Sequence, residues 1–133
     1  MLRTVLICVI PILLFAQKKT EVLVKPDVIV QKQVEAYNAH DVNAFSACYA
    51  LDAQVIEFQT GKVYDKNNQE IRLAYAQLFK DLPLIKCSIR SRIVQGEYVI
   101  DQELVTGTSI PEFFATAIYQ VKNEKNIKVW LIE

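Results

Sequence analysis

Residues 84–132 read LIKCSIRSRIVQGEYVIDQELVTGTSIPEFFATAIYQVKNEKNIKVWLI. β-Branched and aromatic residues crowd this stretch, and two turn signals divide it, Gln95-Gly96 and the segment 123–126. Strands are predicted over 84–94, 97–106, 112–122 and 127–132, each joined to the next by a short connection that makes them antiparallel neighbours. The chain before Pro83 reads differently. Pro26-Asp27 opens a helix whose apolar residues Val30, Val34 and Tyr37 recur at i, i+4 and i+7. Asn38-Ala39-His40-Asp41 ends it, and Asp41 is placed to cap a second short helix with Phe45, Cys48 and Tyr49 as its stripe. A strand over 52–58, a turn at Gly61 and a third helix over 65–80 follow, with Ile71, Tyr75, Leu78 and Phe79 on one side of that helix. Helices gathered first and strands gathered last give an α+β domain: one curved antiparallel sheet with three helices on its concave face.

The 133 residues suit a single core, and an apolar fraction of 52% is ample to fill it. The formal net charge is zero, which argues against nucleic acid, a partner that needs a concentrated basic face. The first residues read as an export signal. Arg3 supplies the positive charge, 5–15 (VLICVIPILLF) the apolar run, and Ala16 a small residue at the cleavage edge before Gln17. That run falls short of the roughly 20 apolar residues of a membrane span. Leu14 is a poor residue for the signal peptidase, and Cys8 has no lipobox around it. The expected organisation is a signal peptide over 1–16, a linker over 17–26 and the domain over 27–133, with a periplasmic or secreted product and no lasting membrane anchor.

Cys48 and Cys87 remain after such cleavage. Export permits a bridge, but each lies on an apolar face, so two packed thiols are expected. The sequence implies no metal or cofactor: it has one histidine, His40, no Cys/His cluster and no Gly-rich phosphate loop. His40 reads as a solvated residue between two helices, and Asp41 as a cap.

The segment VEAYNAHDVNAF, 34–45, fits the pattern AYN-x-x-D-x-x-x-F, and the match runs on through YALDA, 49–53. Further on, RIVQGEYVIDQE, 92–103, reads as paired central strands, and AIYQV, 117–121, with IKVW, 127–130, as a closing hairpin. Together these resemble the SnoaL-like members of the nuclear transport factor 2-like superfamily, over about 28–132. The resemblance implies a cone-shaped α+β barrel of the cystatin-like kind, an internal pocket and a habit of dimerising. It implies no single activity, because relatives include polyketide cyclases, ketosteroid isomerases, dehydratases and noncatalytic binding subunits.

Laid on the matching strand of ketosteroid isomerases, Glu57 falls at the position of their general base. A carboxylate enclosed by apolar walls holds its proton more tightly, which suits proton abstraction beside a carbonyl. A surface glutamate is the equally weighted alternative. Isomerase chemistry also needs a tyrosine and a protonated acid as donors, and those positions fall at Gln33 and near Ala117. A steroid isomerase is therefore not expected, although Tyr37 lies one helical turn from Gln33. In the central hairpin, a turn at Gln95-Gly96 sets Arg92 opposite Val99 and Arg90 opposite Asp101. Burial alone would turn Cys87, Ile89, Ile93 and Ile100 inward. The resemblance instead turns Asp101 and Glu103 into the pocket with Arg92, leaving an apolar convex face for a second copy. The same alignment puts Tyr119 and Trp130 on the pocket wall, where plain core packing is the other reading. The expected ligand is a small, largely apolar molecule. Its site is expected to comprise Glu57 as proton carrier and Tyr37, Arg92, Asp101, Glu103, Tyr119 and Trp130 as binding residues. The alternative is a noncatalytic module for ligand carriage or dimerisation.

Overall fold

A computed structural model describes residues 22–133. The signal peptide over 1–16 and most of the linker over 17–26 lie outside the described residues.

Helix α1 (Pro26–Asn38) begins with proline at its first turn, where the missing N–H costs nothing. It buries Ile29, Val30, Gln33, Val34 and Ala36 along one face. His40 takes the left-handed conformation, φ 53°, and turns the chain into α2 (Val42–Ala47). The Asp41 carboxylate caps α2 by accepting the Ala44 N–H at 3.0 Å. Helix α2 is only six residues long, so Tyr49 opens β1 (Tyr49–Glu57) and does not extend the stripe of α2. A short strand β2 (Val63–Asp65), which the sequence pattern misses, folds back on β1. Helix α3 (Asn68–Asp81) starts three residues later than expected because Asn67 is its cap, accepting from the Glu70 N–H at 2.9 Å.

Strands β3 (Lys86–Gln95), β4 (Tyr98–Thr106), β5 (Phe113–Lys122) and β6 (Lys125–Ile132) form an antiparallel run. The six-stranded sheet has the order β2-β1-β6-β5-β4-β3. It is mixed where a purely antiparallel sheet is expected, because β1 lies parallel to β6. A strand arriving from the helical half can join the free edge of β6 in that direction without a hairpin. The sheet is curved and unclosed, with the helices packed on its concave face.

The β3–β4 register differs from the expected one by two residues. The turn centres on Gly96-Glu97, with Gln95 opposite Tyr98, so Arg92 faces Asp101 directly. Gly96 has φ +59°, the left-handed conformation that hairpin turns of this kind demand. A second irregularity lies between Ile89 and Ser91, where Arg90 has no partner. Such a bulge inverts the alternation of side chains. It brings Cys87, Ile89 and Arg92 to the concave side, where simple alternation would separate them. The concave face then carries Val99, Asp101, Glu103, Ala117, Tyr119 and Val129, and the main cluster packs Phe45, Ile71, Val30 and Tyr49 against it.

Candidate functional site

Between α1, α3 and the concave face lies a cavity of about 250 Å³. Its walls are largely apolar or aromatic. Val34, Leu78, Leu82, Ile85, Val105, Phe113 and Leu131 supply the aliphatic and phenyl surface, and Tyr37, Tyr49, Tyr75 and Tyr119 come from four different elements. The tyrosines are held by aromatic packing. Tyr37 meets Phe79 edge-on at 5.3 Å, and Tyr75 sits 4.3 Å from Phe45, which is fully buried.

The segment 36–45 folds as it does because each of its residues has a task at this wall. Ala36 is small enough to be buried against the sheet, and Tyr37 lines the cavity. The Asn38 amide bridges to β3 as another strand would. Its Nδ2 donates to the Cys87 carbonyl and its Oδ1 accepts the Cys87 N–H, each at 2.8 Å. His40 is not a free loop residue: its Nε2 lies 2.8 Å from the Ile85 carbonyl oxygen and its ring stacks on Phe79. These ties fix the start of β3 and set Cys87 at the cavity wall. Cys87 and Cys48 are free thiols, and burial followed by the nearby Glu103 pushes the Cys87 thiol up.

Glu103, on β4, is the polar centre. The Tyr119 hydroxyl donates to its Oε1 at 3.1 Å, and the Cys87 thiol also hydrogen-bonds to it. Burial dominates and raises the Glu103 carboxyl to about 7, with the Tyr119 hydrogen bond opposing and the neighbouring Asp101 charge adding to the rise. Glu103 thus passes between acid and base near neutral pH. Burial also raises Tyr37, Tyr75 and Tyr119, so these phenols stay neutral donors. Gln33, 5% exposed, lines the cavity, and its Oε1 has no protein partner.

The residues singled out from sequence divide three ways. Tyr37, Glu103 and Tyr119 meet at the cavity. Arg92 and Asp101 face each other beside it and form a bidentate ion pair, Nε–Oδ1 2.6 Å and Nη2–Oδ2 2.8 Å, with Asp101 wholly buried. Arg92 also donates to the Gln31 Oε1 at 3.1 Å, so its guanidinium is engaged away from the cavity. Trp130 and Glu57 lie outside it. Trp130 pairs with Ile118 on the convex face, since Val129 and Leu131 take the inward positions. Glu57 ends β1, and its carboxylate accepts the Thr60 hydroxyl in the following turn. The parallel pairing sets Glu57 beside Leu131, but the strand has run past the cavity by that point. Tyr49, Tyr75 and Cys87 are wall residues that periodicity reads only as core.

The sequence profile of the SnoaL-like domain matches residues 30–130. This chain belongs to the SnoaL-like domain family. No curated protein matches the SnoaL-like chain. Among solved structures it is similar to an uncharacterised cystatin-fold protein from Novosphingobium aromaticivorans, with TM-score 0.78 and 24% identity over 84% of this chain and 100% of that one. It is also similar to a proposed polyketide cyclase from Sinorhizobium meliloti, with TM-score 0.70 and 18% identity over 79% and 94% of the two chains. A third is a hypothetical protein with a ketosteroid isomerase-like fold from Catenulispora acidiphila, in complex with trimethylamine. Its TM-score is 0.65 at 16% identity, over 83% of this chain and 87% of that one. At these identities the likeness carries the fold.

Proposed function

We propose that this SnoaL-like domain binds a small, largely apolar molecule in the cavity of its cone and that Glu103 moves a proton to or from it. The observation that carries this reading is a carboxyl on an apolar wall, held by the Tyr119 hydroxyl and titrating near 7. A base with that proton affinity is matched to work at neutral pH. Its chemistry is proton transfer at carbon beside a carbonyl, and the neutral phenols of Tyr37 and Tyr75 are available donors for the carbonyl oxygen. The ketosteroid isomerase-like and polyketide cyclase names among the similar structures fit acid–base work of this class. The role expected for Glu57 passes to Glu103, since Glu103 is the carboxylate on the cavity wall within reach of a tyrosine hydroxyl.

The test is deuterium exchange. A panel of small hydrophobic ketones is followed by proton NMR in D₂O, with wild type and with Glu103→Gln. Wild type should speed exchange beside the carbonyl of at least one ketone by about 10²-fold over buffer or more, and Glu103→Gln should abolish the effect. Ketone binding without exchange in wild type would leave the domain as a noncatalytic carrier.

Export and self-association belong to the same proposal. Arg3, the apolar run 5–15 and Ala16 support a cleaved leader, so the exported protein should begin near Gln17 by intact mass. The convex face supports a homodimer, with Ile93, Ile100, Ile118 and Trp130 paired strand to strand across it.

A further inference from the structure

The cavity is selective for charge as well as for shape, an argument that rests on Glu103 being the working group of the site. No lysine, arginine or histidine of the described residues lines it, whereas two carboxylates do, Glu103 and the exposed Glu133. Arg92 is taken up by Asp101 and Gln31. Glu103 therefore has hydrogen-bond donors in Tyr119 and Cys87 but no cation facing it from inside the cavity. The other polar atom without a partner at this wall is also an acceptor, Gln33 Oε1, on a side chain 5% exposed.

Three kinds of occupant meet these walls differently. An anion would be enclosed with no counter-charge even when Glu103 is protonated, and an unpaired charge in an apolar enclosure is costly. A neutral molecule leaves Glu103 divided between its two forms. A cation with N–H groups supplies the missing counter-ion, donates to Gln33 Oε1, and lies among tyrosine rings whose faces attract positive charge.

We propose that the cavity takes a small organic ammonium, its N–H groups directed at the Glu103 carboxylate and Gln33 Oε1 and its carbon skeleton against Tyr37, Tyr75 and Leu131. Binding then draws Glu103 fully into its ionised form, the form able to accept a proton. Because that carboxyl is partly protonated at pH 7 when the cavity holds no cation, ammonium binding releases a fraction of a proton to solvent.

Calorimetric titration of the full chain with benzylammonium, benzyl alcohol and benzoate at pH 7 separates these cases, since the three share a ring and differ in charge. Benzylammonium should bind about tenfold tighter than benzyl alcohol or more, benzoate should show no binding, and the apparent enthalpy should shift with buffer ionisation heat in the sense of proton release. Glu103→Gln should erase both the preference and the proton release, and Gln33→Leu should weaken benzylammonium several-fold while leaving the release. The wild-type ligand series stands even if a variant folds poorly. Equal affinity for ammonium and alcohol, tighter binding of the alcohol, binding of benzoate, or no binding of benzylammonium at millimolar concentration overturns the assignment. Alcohol binding without ammonium preference leaves the cavity a ligand site of another charge class, and the ketone exchange measurement then judges Glu103 separately.

Discussion

At the scale of single residues, the cavity depends on two acids treated in opposite ways. Asp101 is wholly buried but neutralised by both arms of Arg92, so removing Arg92 alone strands a buried charge. Arg92→Met should destabilise the chain by about 3–5 kcal/mol in chemical denaturation. Replacing both partners together, Arg92→Met with Asp101→Leu, should recover most of that loss. Glu103 has no such partner, and its carboxyl is raised to about 7. In the unfolded chain the same group ionises near its ordinary value, so over the window between the two values the folded state binds more protons. The stabilising contribution is full below the unfolded value and is lost as pH rises through about 7. Glu103→Gln keeps the acceptor for the Tyr119 hydroxyl. It should be nearly silent at pH 5 and stabilising by on the order of 2 kcal/mol at pH 8, read from melting curves at the two pH values.

Secondary-structure elements account for what was legible in the sequence and what was not. The helix over Pro26–Asn38, the Asp41 cap and the four late strands each leave a local signal, because propensity, capping and strand alternation act within a few residues. Register does not act so locally. Whether Arg92 faces Val99 or Asp101 depends on which two residues form the turn, and Gln95-Gly96 and Gly96-Glu97 are both acceptable turn pairs by composition. The bulge at Arg90 carries no signature of its own, yet it decides that Cys87 and Arg92 share the concave side. For the same reason Trp130 reads as pocket wall when it is in fact one residue out of phase with it. Glu103 and Tyr37 are legible because they belong to the segments that carry the family pattern. Connections add a test of their own. Gly107, φ +76°, follows β4, and a Cβ there would lie 1.8 Å from the Leu84 carbonyl oxygen. Gly96 shares the positive φ but has open space around it. Gly96→Ala should cost about 1 kcal/mol of unfolding free energy from strain alone, and Gly107→Ala clearly more, about 3 kcal/mol, since backbone must move.

For the whole molecule, the fold leaves one large surface unexplained by its own core. On the convex face Ile93 and Phe114 are 60% and 59% exposed, with Ile100, Ile118 and Trp130 half-buried between strands. In the proposed homodimer this face is covered by a second copy. Light scattering of the protein at micromolar concentration should give about twice the monomer mass, and Ile93→Glu combined with Phe114→Glu should shift it to monomer without loss of helical signal. A wild-type monomer would leave the convex face without an occupant. The cavity lies on the opposite face of the same sheet, so the double variant should still bind whatever the cavity binds.

The central claim is that Glu103 holds a proton near neutral pH because the cavity desolvates it. Carbon-detected NMR titration of the side-chain carboxyl resonances in the full chain, with Glu103→Gln to assign the signal, measures that directly. The account predicts a Glu103 midpoint of about 7. A midpoint at or below the ordinary glutamate value of about 4.3 would contradict it, and with it both the proton-transfer role and the counter-ion role of this residue.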